Sequence, residues 1–261
     1  MSSPNAAELS VEAAWFIAEA VGAGTFPWVL GVTTPPHPVR PDDVPLEPAV
    51  ADWIRVVCHP EQWYEMRCVS TRNGSGDLLR GIIARRGEHV VVALRNAQLI
   101  TFTEMAIHDA AALVPVLTVG LENRPPASFP DFRIPARVGA RADAQLRAGA
   151  ELSTVMDYLG IPRAAREMVS AVFAGPRSYV EIVSGQNRDG STTTSPVGVA
   201  VVDCEYGRVL VTPDKADDGE WISTFTPGSP AAIARAVDTL AATLPEGRWF
   251  SGAGLFRELV H

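Results

Sequence analysis

Cysteine is scarce in this chain, and what there is lies scattered. Cys58, Cys68 and Cys204 are the only three in 261 residues, and no two share the CxxC spacing of a redox or metal site. Apolar neighbours mark each as a small buried hydrophobe, with no disulfide framework. An excess of positive charge is also missing: 22 Lys and Arg against 30 Asp and Glu leave a formal net charge of −8. That argues against nucleic acid as a partner, because neutralising phosphates takes a basic surface. No apolar run approaches the roughly 18 residues that span a bilayer. The start, Met1-Ser2-Ser3-Pro4-Asn5, has neither the basic nor the apolar region of a secretory signal. These absences predict a soluble, cytoplasmic protein with no membrane span.

Catalytic signatures are missing too. Of the five histidines, His37 lies in a proline-rich loop, His59 follows a helix, His89 starts a strand, His108 precedes a helix and His261 is terminal. None forms HxxxH, HExxH or a Cys/His ligand pair. There is no GxSxG nucleophile elbow and no GxxxxGK[ST] phosphate loop. "VGAGTFP" has GxG without a third glycine, and it ends a helix where a dinucleotide fingerprint follows a strand. Asp217-Asp218-Gly219-Glu220 gathers three carboxylates, but without calcium-loop spacing it reads as a solvated turn before a strand. Asn73-Gly74-Ser75 is a glycosylation sequon that, without secretion, is only a turn. The expectation is no enzyme, no catalytic residue, no cofactor and no metal.

What is present is an ordinary globular composition, 47% hydrophobic and 20% charged, with a mean hydropathy of +0.09. A chain of this length buries a substantial core. Ser10 caps a first helix in "VEAAWFIAEAVGAG", which Gly22 and Gly24 stop. "FPWVLGV" reads as a short buried strand. "TTPPHPVRPDDVPLEP" holds six prolines and is a loop. "AVADWIRVVCH" is a helix. Four strands follow, "WYEMRCVS", "LLRGIIARR", "HVVVALRN" and "QLITFT", joined by turns too short for parallel crossovers. A helix "HDAAALVPVLTVGL", interrupted by Pro115, and an extended connection "RPPASFPDFRIP" lead to the second half. There, helices in "ARADAQLRAG", "ELSTVMDYLG" and "PRAAREMVSAVFAGP" precede strands "SYVEIVSGQNRDG", "TTTSPVGVAVVDCEYG", "RVLVTPDKA" and "GEWISTFT". A last helix runs from Ser229-Pro230, with Ile233, Ala236, Val237, Leu240 and Leu244 at helical spacing.

The two halves repeat. "YEMRCVS" from Tyr64 matches "YVEIVS" from Tyr179, and "GIIARRGEHVVVAL" matches "GVAVVDCEYGRVLV", with Gly87 and Gly207 in equivalent turns. Thr101-Phe102-Thr103 matches Thr224-Phe225-Thr226, and Val114, Leu117 and Leu121 align with Val237, Leu240 and Leu244. The reading is one domain, 1–261, of class α+β. Its central antiparallel sheet is built from two similar halves, roughly 9–121 and 136–245, with pseudo-twofold symmetry and flanking helices. Chance similarity between two amphipathic sheets is the alternative. Without chemistry to explain, surface aromatics become informative. Alternation in "EWISTFT" puts Trp221, Ser223 and Phe225 on one face, where Trp221 and Phe225 either anchor a partner or pack under the last helix. Trp249-Phe250 clamps the tail onto the core.

Several segments together carry a resemblance: "AWFIAEAVGAGTFPWVLGVTTP", "VADWIRVVC", "LLRGIIARR", "VVALRNAQLITFTEM", "GPRSYVEIVSG" and "DGEWISTFTPGSPAAIARAV". They resemble the EspG proteins, cytosolic chaperones of type VII (ESX) secretion in mycobacteria, and among them the branch serving the third ESX system. The resemblance implies an antiparallel sheet of two halves with a C-terminal helical bundle. It implies binding to the PPE subunit of PE–PPE heterodimers, by covering an apolar tip without any chemistry. The family's interface maps onto the loop "STRNGSGD", hence Asn73, Gly74, Ser75, Gly76 and Asp77, and onto the segment from Trp221 to Leu240, hence Trp221, Phe225, Ile233 and Val237. "PHPVRPDDVPL" is shorter than the family's charged segment at that point. The expected protein is a monomer or weak homodimer. The alternatives are a small-molecule hydrolase or transferase, which needs a polar pocket with a histidine or paired carboxylates, and a structural homo-oligomer, which needs a long apolar strand edge.

Overall fold

The computed structural model describes residues 5–37, 39, 44, 47–71 and 77–250. Its first half runs β1 (Ala6–Ser10), α1 (Val11–Ala20), α2 (Pro48–Cys58), β2 (Gln62–Ser70), β3 (Asp77–Arg86), β4 (His89–Asn96), β5 (Leu99–Glu104) and α3 (Ala110–Leu117). The second runs β6 (Phe132–Pro135), α4 (Ala136–Arg147), α5 (Leu152–Tyr158), α6 (Arg166–Ala174), β7 (Ser178–Arg188), β8 (Ser191–Thr194), β9 (Val199–Cys204), β10 (Gly207–Lys215), β11 (Trp221–Pro227) and α7 (Pro230–Ala241). All eleven strands join one antiparallel sheet in the order β1-β5-β4-β3-β2-β7-β9-β10-β11-β6, with β8 paired to β7 off that path. Both ends are short strands, so among the described residues the sheet has no long apolar edge.

Helix starts follow the caps. Ser10 Oγ accepts from Ala13 N–H at 3.1 Å, Asp109 Oδ1 from Ala112 N–H at 2.8 Å, and Ser229 Oγ from Ala232 N–H at 3.2 Å. Each satisfies a donor that the first helical turn leaves free. Pro115 lies inside α3, which nevertheless continues to Leu117.

Neighbouring strand residues enter different cores. Ile82 faces α1 and α2 together with Ile17, Trp53, Ile54 and Phe102, whereas Ile83 faces α3 and α7 with Tyr64, Met66, Leu113, Leu117, Ile182, Ile233 and Val237. A third core, on the Ile82 side beyond β7, packs Val202 and Val209 against Met156, Met168 and Val169 of α5 and α6. Phe102 lies opposite Ala93 in β4 and Ala7 in β1; Phe225 lies opposite Val211 in β10 and Phe132 in β6.

Three expectations change. "FPWVLGV" is no strand but a 3-10 turn over Trp28–Leu30, ended by Gly31 at φ 58°. Its carbonyls at Leu30 and Gly31 accept from the Arg95 guanidinium, both at 2.7 Å, in place of a strand neighbour. Within that turn Val29 and Leu30 are buried, as is Phe26 before it, while Trp28 is 83% exposed. Second, the "extended" stretch before Ala136 ends in β6, and β1 precedes α1. Third, Gly207 is not in a turn like Gly87. It opens β10 after Glu205-Tyr206, and any Cβ there would fall 2.7 Å from the Pro125 carbonyl oxygen.

Candidate protein-interaction surface

The β2–β3 hairpin pairs continuously from Gln62 opposite Arg85 to Ser70 opposite Asp77. Its tip falls outside the described residues, and Asn73, Gly74, Ser75 and Gly76 fall with it. Asp77 opens β3. The root of the hairpin is tied to the connection between α6 and β7. Thr71 N–H donates to Arg177 O at 2.9 Å, Arg177 N–H donates to Thr71 Oγ1 at 3.2 Å, and the Ser70 and Ser178 hydroxyls meet at 2.9 Å.

Apolar side chains stay uncovered around this root. Leu78, Val69 and Tyr179 are cross-strand neighbours in one row, with Leu78 36% exposed. The Arg177 guanidinium lies 6.0 Å from the Tyr179 ring and also donates to Phe173 O at 3.3 Å. Phe173 itself is 52% exposed. On the other sheet face the chain leaving α3 presses on β2: a Cβ at Gly120 would fall 2.5 Å from Cys68 Sγ. That contact brings exposed Val119 to the same end of the sheet. Leu78, Val119 and Phe173 were not singled out by the sequence, where each sits in an ordinary apolar run; only "FAGP", stopping α6 after Phe173, hinted at a surface position.

The C-terminal set divides. Ile233 and Val237 are fully buried on the inner side of α7, in the core with Tyr64, whose hydroxyl donates to Val237 O at 3.1 Å. They hold the helix down and offer no surface to a partner. Phe225 is half-buried, stacked on Phe132 at 4.7 Å and 7°. With Ser223 it lines an apolar groove of about 290 Å³ beneath α4, α5 and α6. Trp221 does not share that groove. It lines a second one, of about 380 Å³, with Thr224, Thr226 and α7, and the Lys215 ammonium lies 5.6 Å from its ring. It still pairs in the ladder, opposite Lys215, and lies two positions beyond Ser223, past the lining of the Phe225 groove. Trp249 is buried 4.7 Å from the Tyr64 ring, and its carbonyl accepts from Arg85, so it does fasten the segment that follows α7 onto the core.

Nothing in this surface is arranged to make or break bonds. Burial pushes the Cys58 thiol up to about 12, and burial with the Asp203 charge pushes Cys68 up to about 11. Burial also raises Cys204. A thiol so raised is not a nucleophile at neutral pH. Among the described residues no group of three His, Cys, Asp or Glu could hold a metal, and no helix is long and apolar enough to cross a membrane. What the surface can do is cover apolar surface on another molecule.

A model of the EspG family matches residues 40–239 of the chain. The chain is 53% identical to the ESX-3 secretion-associated protein EspG3 of Mycobacterium tuberculosis (strain CDC 1551 / Oshkosh), over 98% of this chain and 97% of that protein. It is 52% identical to the ESX-3 secretion-associated protein EspG3 of Mycolicibacterium smegmatis (strain ATCC 700084 / mc(2)155), over 98% and 92%. Among solved structures it is similar to the Mycobacterium tuberculosis type VII secretion system chaperone EspG5 in complex with a PE25-PPE41 dimer. That match has a TM-score of 0.79 at 20% identity, over 94% of this chain and 98% of that one. At that identity the likeness establishes the fold, an α+β architecture on one large antiparallel sheet.

Proposed function

The chain belongs to the EspG family, and from that premise we propose that it is a cytoplasmic, non-enzymatic chaperone of the third ESX system. It binds PE–PPE heterodimers through the PPE subunit, keeps them soluble and directs them to that secretion system. The observation that carries this reading is the 53% identity, across nearly the whole of both chains, to an ESX-3 secretion-associated protein. The fold shared with a chaperone solved on a PE25-PPE41 dimer supports it. The uncovered Leu78, Val119 and Phe173 around the hairpin root support the hairpin tip, Asn73 to Asp77, as one part of the client site. The second part is the rim of β11 and α7, with Trp221 and Phe225. The helical layer formed by α7 beside α3 supports the C-terminal bundle that the resemblance implies.

We also infer a single domain built from two related halves, about 9–121 and 136–245. The strand order supports it: β1-β5-β4-β3-β2 on one side of the centre is mirrored by β6-β11-β10-β9-β7 on the other. Phe102 and Phe225 occupy matching registers in β5 and β11, and α3 and α7 follow those strands from capped starts. The caps align Asp109 with Ser229, which pairs Leu113 and Leu117 with Ile233 and Val237 and replaces the sequence pairing of Val114 and Leu117 with Val237 and Leu240. The chain alone is a monomer or weak homodimer.

Co-expression with PE–PPE pairs of the third system, followed by gel filtration, tests the function. A ternary complex with at least one pair is expected, and Leu78→Glu combined with Val119→Glu should abolish it without unfolding the chain. Failure of the wild-type chain to bind any pair of that system would sink the proposal.

A further inference from the structure

Trp28 is the most exposed large apolar side chain among the described residues, yet its mounting is firm. Its 3-10 turn packs against β3 and β2. Gly31 N–H donates to Trp28 O at 3.0 Å, and the Arg95 guanidinium holds the Leu30 and Gly31 carbonyls that follow. An indole this open adds almost nothing to the core. A rigid, uncovered tryptophan is instead the form that binding anchors take, because little remains to be ordered on association.

The sheet under this turn carries a second anomaly. Arg67 in β2, Arg80 in β3 and Arg95 in β4 stand directly opposite one another, in one cross-strand row on the Ile82 face. Like charges placed so destabilise a sheet. The outer two are compensated. Glu181 lies opposite Arg67 in β7, and Arg67 also acts on Glu65, two residues along β2. Arg95 is engaged by the turn carbonyls and feels the Glu12 carboxylate. Arg80, between them, makes no hydrogen bond or ion pair among the described residues. Burial and the Arg80 charge pull Arg95 below the ordinary arginine range, so the two cations act on each other. Both guanidinium groups converge on Gly31, where a Cβ would fall 2.8 Å from Arg80 Nη1 and 3.3 Å from Arg95 Nη1. Arg80 therefore stands beside the Trp28 turn. The next row on the same face is Leu78, Val69 and Tyr179, the apolar row of the hairpin root.

We infer that Trp28 and Arg80 form one recognition point for the client, the Trp28 ring covering an apolar side chain and Arg80 taking a carboxylate beside it. The assignment rests on the client-binding reading above. An anion is the occupant this row calls for, because it relieves the repulsion that Arg80 meets from Arg67 and from Arg95 at once. The guanidinium suits a carboxylate in two parallel hydrogen bonds. Continuity with the Leu78 row puts the point in the same interface, on the β4 side of the hairpin root, as Phe173 is on the β7 side.

The test is calorimetric titration of the full chain with its purified PE–PPE heterodimer at low and high salt, beside thermal melts of the free chain. Trp28→Ala and Arg80→Leu should each weaken binding by roughly tenfold or more. Wild-type affinity should fall with salt, and Arg80→Leu should fall less, its charge-assisted contact being gone. Because a repulsion is removed, the Arg80→Leu midpoint should stay or rise, whereas a merely structural arginine would leave it lower. Arg86→Glu, a reversal at an exposed arginine at the far end of β3, should bind like wild type. Wild-type affinity in both Trp28→Ala and Arg80→Leu would overturn the recognition point while leaving the chaperone reading standing. So would an Arg80→Leu chain that melts lower or keeps the full salt dependence, or an Arg86→Glu chain that loses as much affinity. A wild-type chain that binds no pair overturns both.

Discussion

Asp203 and Arg208 face each other across the β9–β10 hairpin, joined by two hydrogen bonds of 2.7 and 2.9 Å, and both are buried. The Arg208 backbone also accepts from Gly228 N–H and Ala127 N–H, so the pair stands where three chain segments meet. Removing one partner leaves the other charge buried and uncompensated. Asp203→Asn should therefore cost about 3–5 kcal/mol of stability, read by urea unfolding. Glu104 offers a gentler case. Hydrogen bonds from His89 Nδ1 at 2.8 Å and Trp53 Nε1 at 3.1 Å hold its carboxyl below the ordinary glutamate range. A carboxylate depressed in the folded state adds stability above its unfolded pKa of about 4.3, and that stability is lost as pH falls through the lower folded value. Glu104→Gln should flatten the acid limb of a thermal-midpoint profile below about pH 4.5, and only modestly, because the side chain is 41% exposed. Neither partnership was legible in the sequence: Trp53 and Glu104 are 51 residues apart, and only folding makes them neighbours.

At the scale of elements, α7 was the most legible part of the molecule. Ser229-Pro230 marks its start, and the 3.6-residue spacing of Ile233, Val237 and Leu240 marks its inner side. That spacing says which residues share a face, but not whether the face meets the sheet or a partner. The structure gives these three to the core. Ile233→Ala should cost about 2–5 kcal/mol while leaving client affinity of the folded fraction unchanged. Leu78→Glu should do the reverse, weakening the client complex with the unfolding midpoint unmoved. Parallel binding and denaturation curves of the two variants would separate the roles, and an interface role for Ile233 would appear as lost affinity at intact folding. The edge strands were illegible for a different reason. β1 and β6 have five and four residues, too few for alternation to register, and they exist because β5 and β11 present unpaired backbone donors and acceptors.

Across the whole molecule, the core beneath α3 and α7 draws on both halves: Tyr64, Met66 and Ile83 come from one, Ile182, Ile233 and Val237 from the other. Neither half can bury that face alone. A fragment ending at Leu121 should show no cooperative melting transition, whereas the full chain unfolds in one, coincident by far-ultraviolet dichroism and tryptophan fluorescence. A cooperative fragment would mean that the halves are separate domains. The sequence by itself determined the α+β class, the helix starts at Ser10 and Ser229, and the strands that carry the Thr-Phe-Thr runs around Phe102 and Phe225. It also determined that no catalytic constellation is spelled along the chain. All of these are local: caps, periodicity and turn chemistry act within a few residues. Only the tertiary structure decided which apolar residues are covered. It buried Ile233 and Val237, left Leu78, Val119 and Phe173 open at the hairpin root, and gave Trp221 to the groove beside α7, apart from Phe225. Exposure depends on what the rest of the chain brings over each face, which no local pattern encodes.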